Sequence, residues 1–173
     1  MIKESGALHG LPKGQQAEVD IHSLIDESLA QTADLSKQRR ALIERHYNYN
    51  LPPVLLNHDN MLVALTQLIS NALEAIDDGG KLLIRTSPDD TGLKIEISDS
   101  GHGIKEQELK RIFDPFFTSK RSGAGMGLPL TREIIDSFQG TITIENRPDG
   151  RGVRVTVTLP SSKRGGAPSN LSL

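Results

Sequence analysis

Apolar residues recur along the chain at two spacings, one helical and one alternating, and the switches between them outline the elements. Ile21, Leu24, Ile25, Ser28 and Leu29 follow a helical period, with Asp20 placed as an N-cap. A longer helix is predicted over 59–76, capped by Asp59 or Asn60 and stopped by Asp77-Asp78-Gly79-Gly80. At about 100° per residue, Met61, Leu65, Leu68, Ala72 and Ile76 share one side of it, while Gln67, Asn71, Glu74 and Asp78 cluster on the other. Strands are predicted at 41–47, 81–86, 93–98, 141–145 and 153–159. Pro88 to Gly92 and Asn146 to Gly152 supply turns between the last two pairs. A short helix near 105–112, a loop over 113–125 and a helix over 126–138 complete the chain. Helices interleaved with adjacent antiparallel strands imply a two-layer α/β (α+β) sandwich.

Composition narrows the class without naming a function. The 173 residues are 36% hydrophobic with a net charge of −2, which suits one ordinary globular domain and gives no sign of a nucleic-acid or membrane-surface partner. No cysteine is present, which excludes disulfides and thiolate metal sites and fits a cytoplasmic setting. No apolar run approaches the roughly 20 residues needed to span a bilayer, so no direct membrane contact is expected. Residues 1–17 read as a flexible N-terminal segment and 161–173 as a disordered tail, leaving 18–160 as the ordered domain.

The chemistry concentrates in three clusters and one helix face. Asp99-Ser100-Gly101-His102-Gly103-Ile104 follows a predicted strand. Its two glycines allow close backbone approach beneath a flat ligand, and Asp99 can accept from an exocyclic amine; a plain strand-to-helix turn reads equally well. His102, between the glycines, is expected to point outward. Phe113, Phe116 and Phe117 crowd beside Pro115, either as an anchor for the loop or as a docking surface or lid hinge. Lys120 and Arg121 follow in a polar setting suited to phosphates. Gly123-Ala124-Gly125-Met126-Gly127-Leu128-Pro129 opens the next helix, where free N–H groups and the helix dipole favour an anion. It is neither a dinucleotide fingerprint nor a Walker loop. Asn71 could offer an amide oxygen to hydrated Mg²⁺, with Glu74 behind it, or simply lie on a solvated face.

In this order and spacing, the clusters resemble the ATP-binding catalytic domain of sensor histidine kinases, within the superfamily of gyrase, the heat-shock chaperone and the mismatch-repair ATPases. Thr66 to Ala75 resembles the asparagine box, Asp99–Gly103 the first glycine box, Phe113–Phe117 the phenylalanine box and Gly123–Gly127 the second glycine box. Thr118-Ser119-Lys120 is similar to the nitrogen-regulator-like subgroup. The resemblance spans about 18–160 and implies a Bergerat-type fold: a mixed, largely antiparallel sheet with helices on one face. It implies Asn71 as Mg²⁺ ligand, Asp99 on the adenine amine, Gly101 and Gly103 admitting the base, and Ile104, Phe117 and Leu128 among the nucleotide-binding residues. Lys120 and the backbone from Gly123 through Gly125 and Met126 to Gly127 would meet the phosphates, with 113–125 as the ATP lid. Asn71, Lys120 and Gln67 would carry the catalytic roles.

Two departures matter. Gln67 stands where these kinases usually have a second asparagine, and Gly152-Val153 replaces a frequent Gly-Thr, so one hydroxyl contact near the base is expected to be missing. In the ATPase branches and the related serine kinases a glutamate at the Gln67 position can act as general base; an amide cannot take that proton. A histidine acceptor needs no such base. Its own pattern is a His followed by an acidic and an aliphatic residue, with proline a few places on. Of the five histidines only His58-Asp59 begins that way, and no proline follows at the right distance. The expected partners are therefore a separate helical dimerisation and phosphoacceptor domain of the parent kinase and a response-regulator receiver domain. The isolated catalytic domain is expected to be monomeric. The alternatives are a non-catalytic nucleotide-binding docking module and a gyrase-class ATPase.

Overall fold

The structure is a computed structural model and describes residues 14–115, 117 and 127–163. From the N-terminus it runs β1 (Ala17–Glu18), α1 (Ile21–Gln31), α2 (Ala33–Gln38), β2 (Leu42–His46), β3 (Leu55–Leu56) and α3 (His58–Ala75). It continues with β4 (Lys81–Pro88), β5 (Gly92–Asp99), α4 (Glu106–Leu109), α5 (Gly127–Ser137), β6 (Thr141–Asn146) and β7 (Val153–Pro160). The main sheet has the order β2-β4-β5-β7-β6; only the β2–β4 pair is parallel, so the sheet is mixed and largely antiparallel. β1 and β3 form a small antiparallel ladder of their own.

The period-2 pattern of the strands orients one face inward. Leu93, Ile95 and Ile97 on β5 and Val153, Val155, Val157 and Leu159 on β7 are buried, alternating with less buried neighbours. The helices cover that face. α3 packs against β5 and is flanked by α1 and α5. Its Met61, Ala64, Leu65, Leu68, Ile69 and Leu73 are all 1% exposed or less. Each such large side chain contributes on the order of 1.5–3 kcal/mol by leaving water, which makes α3 the axis of the core.

Several local expectations need correction. Asn57, rather than Asp59 or Asn60, caps α3: its side chain accepts from the Asn60 N–H at 2.9 Å, which places Asp59 inside the first turn, where a carboxylate suits the helix dipole. The helix ends at Ala75, so Asp78 is not on its polar face; it is exposed and ion-paired with Arg40. The helix expected over 105–112 is a four-residue turn, α4, and α2, β1 and β3 were not legible at all. At the ends, residue 17 belongs to β1, the Ser161 N–H donates to Thr91 O at 2.9 Å, and the Ser162 N–H donates to Pro53 O at 2.9 Å. Those three residues belong to the fold and not to a flexible segment or tail; 1–13 and 164–173 lie outside the described residues.

Candidate functional site

Asp99 is the last residue of β5, and the alternation that turns Leu93, Ile95 and Ile97 inward turns its carboxylate inward too. It is 4% exposed. Burial pushes the carboxyl above the ordinary carboxylate range, while hydrogen bonds from the Gly101 and Val153 amides pull the other way. Both amides donate to the same oxygen, Oδ1, at 2.8 and 3.2 Å. The Arg147 guanidinium donates to the Asp99 backbone carbonyl at 3.1 Å. The carboxylate is thus held at one oxygen by its own loop and by the start of β7.

The glycines around it are required by close approach of the chain to itself. A Cβ on Gly101 would collide with the Ala75 carbonyl at the end of α3, so here the tight neighbour is the helix end. Gly103 has φ +79° and lies against Asn146; its neighbour His102 is exposed, as expected. Gly152 has φ +89°, and a Cβ there would run into the Asp99 backbone. Gly152→Ala therefore combines left-handed strain with a backbone collision, and a loss of roughly 2–4 kcal/mol is expected. A lower urea midpoint at unchanged denaturant slope checks it.

Asn71 and Gln67 face the start of α5. Both are half-buried, and the Gln67 Nε2 donates to Asn71 Oδ1 at 3.0 Å. Gly127, the first residue of α5, sits so close that a Cβ would lie 2.5 Å from Gln67 Nε2. What pattern alone reads as a solvated helix face is a covered one, because α5 lies along α3. Leu128 is half-buried against the core. Phe113 packs on the core with the Arg132 guanidinium 4.9 Å from its ring centre, and Arg111 lies 4.8 Å from that of Phe117. Lys120, Gly123, Gly125 and Met126, with Phe116 and most of the 113–125 loop, lie outside the described residues.

The fold therefore gathers Asp99, Gly101, Gly103 and Ile104 at the end of β5, and Gln67, Asn71, Gly127 and Leu128 at the α3–α5 contact. It also brings in Asn146 and Arg147, which the pattern did not suggest because their stretch reads by composition only as a turn, and the backbone amide of Val153, a residue the resemblance had already set near the base. His58, the one histidine with a partial acceptor pattern, holds Asp59 on Nδ1 and Glu27 on Nε2, both at 3.0 Å. The Asp59 bond, with Glu27 adding to it, raises its pKa and favours the charged, non-nucleophilic imidazolium. Among the described residues no helix is long and apolar enough to cross a membrane.

Comparison with known proteins gives the family. The family described as histidine kinase-, DNA gyrase B-, and HSP90-like ATPase matches residues 57–163. The sensor histidine kinase ZraS of Escherichia coli O157:H7 is 34% identical over 142 residues, covering 82% of this chain and 31% of ZraS. The sensory histidine kinase/phosphatase NtrB of Rhizobium meliloti is 34% identical over 161 residues, covering 84% of this chain and 41% of NtrB. The chain thus spans less than half the length of either relative. The catalytic domain of histidine kinase ThkA superposes with a TM-score of 0.77 at 28% identity, covering 86% of this chain and 97% of that one. ThkA in complex with the response regulator TrrA matches with a TM-score of 0.73 at 26% identity, covering 85% of this chain and 42% of that one. The chain belongs to the histidine kinase-, DNA gyrase B- and HSP90-like ATPase family, as an ATP-binding catalytic domain of the sensor histidine kinase type.

Proposed function

We propose that this domain binds Mg·ATP and donates the γ-phosphoryl group to a histidine on a separate helical domain, from which it passes to a response-regulator aspartate. The observation that carries the reading is the Gln67–Asn71 pair: the position one turn before Asn71 holds a neutral amide, committed as a donor to Asn71 Oδ1. A carboxylate there could activate water or a serine hydroxyl; an amide cannot. A neutral imidazole nitrogen is already a nucleophile, so transfer to histidine depends on positioning and charge stabilisation. The response-regulator step is supported by the ThkA–TrrA complex. A cytoplasmic location fits the chemistry of such a relay.

In this reading Asp99 accepts from the adenine amine, while Gly101, Gly103 and Ile104 leave room for the ring and Phe117 lies beside it. Lys120 and the backbone of Gly123, Gly125, Met126, Gly127 and Leu128 meet the phosphates, using the free N–H groups at the start of α5. Asn71 would hold Mg²⁺. Its amide oxygen already accepts from Gln67, but a carbonyl oxygen carries two acceptor lone pairs, so that bond and a metal are compatible. Mg²⁺ commonly takes only one or two protein oxygens and completes its shell with phosphate and water, so one amide oxygen on the protein side would suffice. When bound, the ion would neutralise charge on the phosphates.

The test is transfer in trans. With ATP and a purified dimerisation domain, acid-labile, base-stable phosphate is expected on that domain. Tight ATP binding without transfer would favour a docking module instead. Substantial ATP hydrolysis by the chain alone would overturn the role given to Gln67.

A further inference from the structure

Asn146 ends β6, at the far side of the sheet from β4, yet its side chain reaches the loop that leaves β5. Its Oδ1 accepts from the Ile104 N–H at 2.8 Å, and its Nδ2 donates to the Ile104 carbonyl at 2.7 Å. One side-chain amide therefore satisfies both backbone groups of one residue, as a neighbouring strand would. The same hairpin holds the other end of the loop, through Arg147 on the Asp99 carbonyl and the Val153 amide on Asp99 Oδ1. Between these anchors the chain reverses at Gly103, whose φ of +79° and proximity to Asn146 disfavour a side chain.

We propose that Asn146 is a positioning residue for base selection: by gripping Ile104 it sets the distance between the Gly101–Ile104 backbone and the Asp99 carboxylate, and so the width of the slot for the purine. The proposal rests on the reading of Asp99 as the base acceptor. Asn146 hangs on the base side of the site, whereas the expected phosphate side is built from α3 and α5, which Asn146 does not touch through any hydrogen bond among the described residues. Its loss should therefore weaken base recognition and spare phosphate binding.

The experiment is calorimetric titration of the whole chain, wild type, Asn146→Ala and Asn146→Asp, with ATP, GTP and inorganic tripolyphosphate in Mg²⁺ buffer. Amide hydrogen exchange at Ile104 is read in parallel without nucleotide. Asn146→Ala should weaken ATP about tenfold, narrow the ATP-over-GTP preference and leave tripolyphosphate within about twofold. Asn146→Asp keeps the acceptor for the Ile104 N–H but sets a carboxylate oxygen against the Ile104 carbonyl where the donor stood, so its ATP loss should be at least as large as that of Asn146→Ala. Exchange at Ile104 should quicken in both variants. The proposal is overturned by unchanged ATP affinity in Asn146→Ala, or by a parallel loss of tripolyphosphate. If Asn146→Ala fails to fold, the Asp variant decides: equal ATP affinity to wild type overturns it. Failure of the underlying reading looks different: wild type would then bind ATP no better than GTP or tripolyphosphate, whatever the Ile104 exchange shows.

Discussion

Asp99→Asn is expected to weaken ATP binding about 100-fold or more, roughly 2.8 kcal/mol, while leaving the domain folded and more resistant to heat at pH 7. The two effects part because both internal hydrogen bonds fall on Oδ1, from Gly101 and Val153, and an asparagine keeps that oxygen. What it changes is the second terminal atom, from an acceptor to an NH₂ donor. Set against an exocyclic amine, two donors face each other with nothing to accept, and the lost bond was to a charged acceptor. The stability gain follows from burial, which holds the carboxyl above its ordinary value. A carboxyl so shifted favours the folded state below the unfolded pKa, and that contribution is lost as pH rises through the folded pKa. At pH 7 the ionised group is a cost, which the neutral amide removes. The Tm advantage of the variant should therefore shrink as the pH falls through the raised folded pKa and be gone below the unfolded value of about 3.9, where both proteins carry a neutral group. Titration calorimetry with ATP and melting curves at pH 7 and pH 3.5 check both halves; wild-type ATP affinity in the variant would remove Asp99 from the base site.

Asn71→Ala should abolish the Mg²⁺ dependence of ATP binding and reduce phosphotransfer by about 100-fold or more. Methyl in place of the amide deletes the oxygen that would meet the ion and leaves the Gln67 Nε2 without the acceptor it has at 3.0 Å. Asn71→Asp restores an oxygen at the same place and can still accept from Gln67, so it should recover much of the Mg²⁺ dependence. The measurement is ATP affinity with Mg²⁺ against affinity in EDTA, for all three proteins, alongside transfer to the dimerisation domain. Identical Mg²⁺ dependence in wild type and Asn71→Ala would sink the assignment. The fold gives no reason to expect collapse, because the residue is half-buried on the α5 side and the core of α3 is carried by Leu68, Ile69, Ala72 and Leu73.

Chemical order was legible in the chain because each cluster is local. Asp99 through Ile104, Phe113 through Phe117 and Gly123 through Leu128 are short segments whose glycines and strand ends advertise themselves, and the 59–76 apolar period marks the helix that carries Asn71. Local propensity also sufficed for α1 with its Asp20 cap, whose side chain accepts from the His22 and Ser23 amides, and for the β4–β5 and β6–β7 pairs. Where several residues compete for one local role, it did not suffice: Asn57, Asp59 and Asn60 can all cap, and only the path of the chain into α3 selects Asn57.

Everything that depends on two distant segments meeting was decided by the tertiary structure. The parallel pairing of β2 with β4 and the ladder of β1 with β3 leave no periodic mark, since strands of two to five residues carry too few alternations. Gln67 and Asn71 have the spacing of a solvated face and become a covered pair only because Gly127 begins α5 against them. Gly152 and Asn146 belong by composition to an ordinary turn. Their roles appear when β7 lies beside β5 and the turn closes under Asp99 and Ile104, 54 and 42 residues away along the chain for the Val153 and Asn146 bonds. Side-chain type and spacing determine which groups are offered; long-range packing determines which of them face each other.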